Sequence, residues 1–162
     1  MSMTLIAIAC LCLALVSALV AGVLLAFSDF IMRGLAQARP AGGIEAMQGI
    51  NRTVLRSVFL TAFIALLPAV YGLAAYALFA LEGPGQTLIY IGAMIYLITV
   101  FLVTGFGNVP MNKRLAGYDP DAAGAAVYWQ RYLVRWTGLN HWRAGGSLAT
   151  SICFAAAPWM LV

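Results

Sequence analysis

Residues 4–27 read TLIAIACLCLALVSALVAGVLLAF, and Ser17 is the only polar interruption after Thr4. A helix needs about 20 apolar residues to cross the hydrocarbon core of a bilayer, so this stretch is long enough to span it. Its helical pattern extends to about residue 32. Three further apolar stretches lie at about 54–81, 87–107 and 145–162. The sequence therefore predicts an all-α integral membrane four-helix bundle, with residues 1–162 as a single four-span transmembrane domain.

The composition of the chain excludes most soluble classes of protein. Apolar residues make up 64% and charged residues 9% of the 162 residues, whereas soluble domains contain about 45–50% and about 25%. The mean hydropathy is +0.95. A soluble fold of this size leaves about 30% of its unfolded-chain surface exposed and cannot hide so much apolar surface. A soluble enzyme, a secreted disulfide scaffold and a nucleic-acid-binding module are therefore excluded.

The basic residues are confined to the first and third of the loops that connect the predicted spans. Loop one contains Arg33, Arg39, Arg52 and Arg56, and loop three contains Lys113, Arg114, Arg131, Arg135 and Arg143. The positive-inside rule predicts that both loops are cytoplasmic and that both termini lie outside a cell membrane. The net charge of +4 then reflects topology and contact with the lipid bilayer, not with nucleic acid.

Both of these loops contain amphipathic helical patterns. In loop one, a helix is predicted to begin near Ile44 and to continue into span two, with Asn51 in the middle of its apolar stripe. A buried amide without a partner costs about 1–3 kcal/mol. Asn51 is therefore expected either to bond to a neighbouring helix or to contact a ligand.

Loop three contains most of the polar side chains. Pro110 predicts that span three stops near Gly107 and that a short helix closed by Gly117 follows. Asn108 and Asn112 flank Pro110, where asparagine typically caps helices.

A second helix start is predicted at 119–121, where the sequence is Asp-Pro-Asp. The apolar face of this helix contains Trp129, Tyr132, Leu133 and Trp136. Asn140 and Arg143 continue that face, while His141 points about a third of a turn away. Anchoring at the membrane interface explains exposed aromatic residues and arginines, but it explains Asn140 and Arg143 less well.

Metal and nucleotide sites receive no support from the residue types present. Cys10, Cys12 and Cys153 all lie inside predicted spans, and no C-x-x-C pair or Cys/His ligand spacing occurs. The chain has one histidine, no cluster of acidic residues and no glycine-rich phosphate loop. No metal site and no bound cofactor are predicted.

The ordered stretches MQGINR (47–52), NVPMN (108–112) and WQRYLVRWTGLNHWR (129–143) together resemble the anthrone oxygenase-like family of small four-span membrane proteins. The resemblance covers nearly the whole chain, with Met111 in place of a frequent leucine. It implies a four-span fold. The family's named activity is the oxidation of an anthrone to an anthraquinone by O₂ without an evident cofactor.

The resemblance implies that the substrate is a hydrophobic aromatic small molecule, with O₂ as co-substrate. His141 would be the catalytic base, because its side chain normally titrates near neutral pH. Asn51 and Asn108 would complete the catalytic set by donating hydrogen bonds to a developing enolate. Five residues would bind the substrate through amides, aromatic stacking or charge: Asn112, Trp129, Trp136, Asn140 and Arg143.

Two other interpretations stay open at this point. The protein could bind a small molecule or lipid in the same pocket without catalysis, or it could be a structural partner subunit whose polar residues pack helices together. The sequence does not identify the substrate, and it leaves a homo-oligomer open.

Overall fold

The structure, a computed structural model, describes residues 2–161 and contains helices but no strand within them. The predicted all-α class is confirmed. Five helices cover this part of the chain, namely α1 (Met3–Gln37), α2 (Pro40–Val54), α3 (Val58–Ala80), α4 (Pro84–Ala116) and α5 (Ala123–Ala156). A single 3₁₀ turn, Ala157–Met160, follows α5.

Three of these five helices, α1, α3 and α4, are long and apolar enough to cross a membrane. A membrane protein is therefore supported, as the composition predicts. The described part of the fourth predicted span forms the C-terminal part of α5, which does not reach the same apolarity. The four-span bundle stays a prediction.

Helix α5 packs antiparallel to α1 and to α4, and side-chain hydrogen bonds join the three helices. Ser151 Oγ donates to the Ala14 carbonyl oxygen of α1 at 2.8 Å. Thr150 Oγ1 donates to the Gly92 carbonyl oxygen of α4 at 3.2 Å. Such bonds are common between apolar helices, where small polar residues allow close packing. Ser147, Thr150 and Ser151 therefore face inward and contribute to the lower hydropathy of α5.

Two apolar clusters fill the interior. The larger cluster lies between α1, α3, α4 and α5 and includes Ile6, Val70, Ile89, Val100 and Phe154. The smaller cluster lies where α2 covers the first half of α5, and includes Ile44, Met47, Leu115, Trp129 and Tyr132. The second cluster brings loops one and three together.

Two predicted helix boundaries around α2 and α4 are wrong. Helix α2 does not continue into α3, because Ser57 caps α3 by accepting a hydrogen bond from Leu60 N at 3.1 Å. Helix α4 does not stop near Gly107 but runs on to Ala116 through the π-helical segments Tyr96–Leu102 and Thr104–Asn108. The π turn shifts the backbone hydrogen bonding directly before Pro110, so the helix accommodates the missing N–H. Gly117 ends α4 as predicted.

Helix α5 also begins later than predicted, at Ala123 instead of the Asp-Pro-Asp motif. Asp119 Oδ1 accepts a hydrogen bond from Asp121 N at 3.1 Å, so the motif forms a turn before the helix.

Gly146 sets the distance between α4 and α5. A Cβ atom at this position would lie 1.8 Å from Thr99 Oγ1 and 2.8 Å from Thr99 Cβ. A Cβ atom at the adjacent Gly145 would have no such neighbour within 4 Å. Only one of the two neighbouring glycines is therefore needed for packing.

We expect Gly146→Ala to destabilise the protein, because α4 and α5 would have to separate. Overpacking of this kind costs about 1–3 kcal/mol. Gly145→Ala is the matched control and should be neutral or stabilising by up to about 1 kcal/mol, since alanine favours helix. Thermal unfolding in detergent measures both variants. Equal melting temperatures for the two would contradict the close approach.

Candidate functional site

A cavity of about 400 Å³ lies between α1, α2, the first turn of α3 and the middle of α5. Most of its lining is apolar and includes Phe27, Met47, Ile50, Phe59 and Trp136. Its polar lining residues are Asn51, Thr53, Ser57, Asn140 and Arg143. Small-molecule sites are typically apolar cavities of about 300–1,000 Å³ with a few polar groups that orient the ligand. The cavity has this character.

Four of the residues predicted from the sequence come together in this cavity: Asn51, Trp136, Asn140 and Arg143. Asn51 is contributed by α2 and the other three by α5. The remaining four, Asn108, Asn112, Trp129 and His141, do not line it.

Asn140 connects α5 to α1 and also contacts Arg143. Its Nδ2 donates to the Leu24 carbonyl oxygen at 2.6 Å and to Ser28 Oγ at 2.7 Å. Its Oδ1 accepts a hydrogen bond from a terminal nitrogen of Arg143 at 3.1 Å. The bonds to α1 lie where the π-helical segment Phe27–Ile31 interrupts the regular hydrogen-bond pattern. Asn140 is fully buried, so its amide is completely committed to these partners.

The guanidinium of Arg143 is buried without a carboxylate partner. Arg143 is 7% exposed, and its Nε has no hydrogen-bond partner. Its charged carbon lies 5.7 Å from the centre of the Phe63 ring. Among residues 2–161 the structure contains one ion pair, Arg33–Asp29 at 2.7 Å, which is exposed. Buried charges are usually paired, so Arg143 is an exception that points to a ligand.

Asn51 presents a second unpaired donor at the cavity. Its side chain is half-buried, and its buried Nδ2 forms no hydrogen bond of normal geometry. The Tyr132 hydroxyl is the polar neighbour of this amide. It donates to Asn112 Oδ1 at 2.7 Å, and among residues 2–161 its lone pairs face no competing donor that would prevent it from accepting from Asn51. Asn51 thus lies at the cavity and beside Tyr132 of the neighbouring helix, so both roles expected for it stay open.

Asn108 and Asn112 hold Trp136 from behind the cavity wall. Asn112 Oδ1 accepts hydrogen bonds from both Tyr132 Oη and Trp136 Nε1, the latter at 2.8 Å. Asn108 Nδ2 donates to the Trp136 carbonyl oxygen at 3.2 Å. These contacts make both residues positioning residues for Trp136.

Trp129 belongs to a stacked row of aromatic rings inside the protein. The ring centres of Trp129 and Tyr132 are 5.5 Å apart, and those of Tyr132 and Trp136 are 5.9 Å apart. Trp129 is buried against Gly43, where a Cβ atom would lie 2.9 Å from its ring. Burial raises the pKa of Tyr132, so its hydroxyl stays protonated and donates to Asn112.

His141 lies on the outer side of α5, away from the cavity. Its side chain is exposed in a groove between α4 and α5, together with Ile95 and Thr99. Its Nδ1 lies 2.8 Å from the Thr137 carbonyl oxygen. One residue along a helix corresponds to a rotation of about 100°, which explains why His141 and Asn140 face different sides.

Several residues of the site could not be singled out from the sequence. Phe27 and Phe59 form walls of the cavity, but an aromatic residue in an apolar span gives no distinctive signal. Gln48 does not line the cavity but holds α2 in place beside it, because its Nε2 donates to the carbonyl oxygens of Leu115 and Tyr118 at 2.9 and 3.0 Å. The sequence does mark Gln48 as unusual, because it is a polar residue on the apolar stripe of α2.

The family model described as anthrone oxygenase matches residues 55–153, which is more than half of the chain. The matched region contains α3, α4 and most of α5, and so includes Trp136, Asn140 and Arg143, whereas Asn51 lies just before it. No curated protein and no solved structure matches the chain.

We expect Asn112→Ala to destabilise the protein, because it leaves the Tyr132 hydroxyl and Trp136 Nε1 without their acceptor. A buried donor left unpaired costs about 1–3 kcal/mol. Asn112→Asp keeps an acceptor oxygen in the same place and should retain most of the stability. Thermal unfolding and near-ultraviolet circular dichroism report on stability and on the tryptophan environment. An alanine variant that matches the wild type in both would refute the positioning role.

Proposed function

Because the chain belongs to the anthrone oxygenase family, we propose that it is a membrane-embedded oxygenase for an anthrone-like or other phenolic polycyclic substrate. The supporting observation is the cavity, whose lining combines aromatic side chains with two amides and a guanidinium. A flat polycycle would pack against Phe27, Phe59 and Trp136. Its oxygen substituents would face Asn51 and Arg143.

The proposed reaction converts a methylene group to a carbonyl with O₂ as the only oxidant. The methylene carbon loses a proton to give an enolate, which transfers one electron to O₂. The carbon radical and superoxide then combine, and protonation gives a hydroperoxide. Breaking of the remaining C–H bond and of the O–O bond releases water and leaves the carbonyl. Preorganised donors stabilise the developing enolate oxygen, and the proposal includes no cofactor.

A second candidate function is binding of the same class of molecule without oxidation. The position of His141 favours it, because the only histidine of the chain lies outside the cavity. The two candidates share the ligand and differ only in whether O₂ is consumed.

We further propose that the C-terminal part of α5 forms a fourth span beside α1, α3 and α4. Leu148 and Ile152 point outward on this segment, whereas Ser147, Thr150 and Ser151 are buried. An apolar outer face with inward polar groups suits a helix in lipid.

For the orientation, we expect loops one and three to be cytoplasmic and both termini to lie outside, because the basic residues are confined to those loops. Alkaline phosphatase, which is active only outside the cytoplasm, should be active when fused after Val162 and inactive when fused near Asp121. The opposite pattern would reverse the orientation, and the same result at both sites, active or inactive, would contradict the fourth span.

We expect the purified protein in vesicles to accelerate O₂ uptake by a hydroxylated anthrone above the spontaneous rate, without added metal, flavin or nicotinamide. Asn51→Leu should reduce the acceleration by about 10²–10³-fold, the usual effect of removing one preorganised donor. Gln130→Leu, which removes an exposed amide from α5, is the control and should keep the wild-type rate.

Two results would contradict this proposal. Wild-type vesicles that do not exceed the spontaneous rate, although the ligand binds, would favour the binding function. Loss of activity with a chelator would contradict a reaction free of cofactors.

The role of His141 is tested by His141→Ala in the same assay. Loss of a general base costs about 10²–10⁴-fold. Since His141 lies on the outer side of α5, we expect a loss of less than tenfold. A loss of a hundredfold or more in kcat, at an unchanged melting temperature, would assign the base to His141 despite its position.

A further inference from the structure

The cavity concentrates positive charge and unpaired donors in an apolar environment. Arg143 contributes a buried guanidinium whose Nε is unpaired, and Asn51 contributes a buried, unpaired Nδ2. The N-cap residue of α3, Ser57, and Phe59 in its first turn also line the cavity. A helix of this length carries a partial positive charge at its N-terminus. The last turn of α2, with Thr53 and Val54, also lines the cavity and carries the opposite partial charge. The two helix ends therefore offset each other, and the full positive charge in this space is that of Arg143.

No group of the described chain neutralises this charge. The titratable side chains that interact with Arg143 are Tyr96 of α4 and Tyr132 of α5. Both hydroxyls are donors, since Tyr96 donates to the Phe63 carbonyl oxygen at 2.6 Å and Tyr132 donates to Asn112. No carboxylate of residues 2–161 pairs with Arg143, and Asp29 is already paired with Arg33. The compensating negative charge must therefore come from a ligand.

We propose that the cavity binds its aromatic ligand as a phenolate or enolate anion, and that Arg143 supplies the charge that ionises it. The O–H or C–H proton is released to water at the cavity mouth, and the electron pair stays on the ligand, with its oxygen facing Arg143 and Asn51. No base of the protein is needed for this step. The inference rests on the proposed function for the class of ligand, but not for its oxidation.

The sign of the effect distinguishes this proposal from simple burial. An apolar cavity without charge disfavours the ionised form and raises the pKa of a bound phenol. An opposite charge within about 4–6 Å favours ionisation and lowers such a pKa by about one to three units. Charge and burial therefore shift the pKa of the bound ligand in opposite directions.

The test uses a hydroxyanthraquinone, which resembles the product, is not oxidised further, and changes its visible absorbance when its phenol ionises. The complex with the full-length protein in detergent is titrated with pH. We expect the bound phenol of the wild type to have a pKa about one to three units below that of the free dye. In Arg143→Gln, the pKa should equal or exceed that of the free dye.

Two further variants separate charge from folding. Arg143→Lys keeps the charge and should keep part of the shift. Asn51→Asp places a carboxylate in the cavity and should abolish the shift even if Arg143→Gln does not fold. Arg131→Gln removes an exposed arginine from the same helix and is the matched control, with a shift equal to that of the wild type.

The proposal is overturned if the bound dye of the wild type ionises at or above its free pKa, or if the shift persists in Arg143→Gln. It is also overturned if an anthraquinone carboxylate or a fatty acid anion displaces the dye and binds more tightly, which would indicate a carboxylate site. The titration involves no O₂. A protein that ionises the dye but consumes no O₂ would therefore disprove the proposed oxygenase activity and leave this inference standing.

Discussion

The side-chain amide of Asn140 links the packing of the helices to the chemistry of the cavity. Its nitrogen is bound to the Leu24 carbonyl oxygen and to Ser28 on α1, and its oxygen accepts from Arg143. Because the amide is fully buried, none of these bonds can be replaced by bulk water. An apolar residue in its place would leave the Arg143 guanidinium with no hydrogen bond among those the described structure gives it. One residue therefore contributes both to the contact between α1 and α5, where Ser151 also bonds to Ala14, and to the direction of the charge in the cavity.

The class of fold could be predicted from the sequence, because an apolar run of about 20 residues or more is typical of a helix that crosses a membrane. The limits of the loop helices could not, since they depend on contacts that a local pattern does not contain. Pro110 normally ends a helix, but the π-helical segment before it lets α4 continue. The Asp119 motif has every local feature of a helix start, yet its carboxylate forms a turn instead. In both cases the sequence motif was recognised, but the helix boundary predicted from it was wrong.

The candidate site was predictable to the extent that its polar residues are out of place in an apolar chain. Asn51, Asn140 and Arg143 were identified because an amide or a guanidinium gains little from lipid, and the structure places all three at one cavity. Asn112 was named through the family resemblance. It lies behind the cavity wall and orients Trp136. The sequence could not distinguish the amides that line the cavity from those behind its wall, because both lie near aromatic residues. It could not identify Phe59 either, since nothing distinguishes a wall of the cavity from any other apolar residue.

The burial of Arg143 also determines how its charge responds to salt. The exposed Arg131 and Arg135 on the same helix are in contact with solvent, where counterions screen charges over a Debye length of about 8 Å at physiological ionic strength. Counterions have little access to Arg143, which is 7% exposed, so its field inside the cavity is largely unscreened. Raising the ionic strength would weaken the field of the exposed arginines and leave the field at the cavity almost unchanged. The buried and the exposed arginines of α5 thus belong to different electrostatic regimes, although they occur within four turns of one helix.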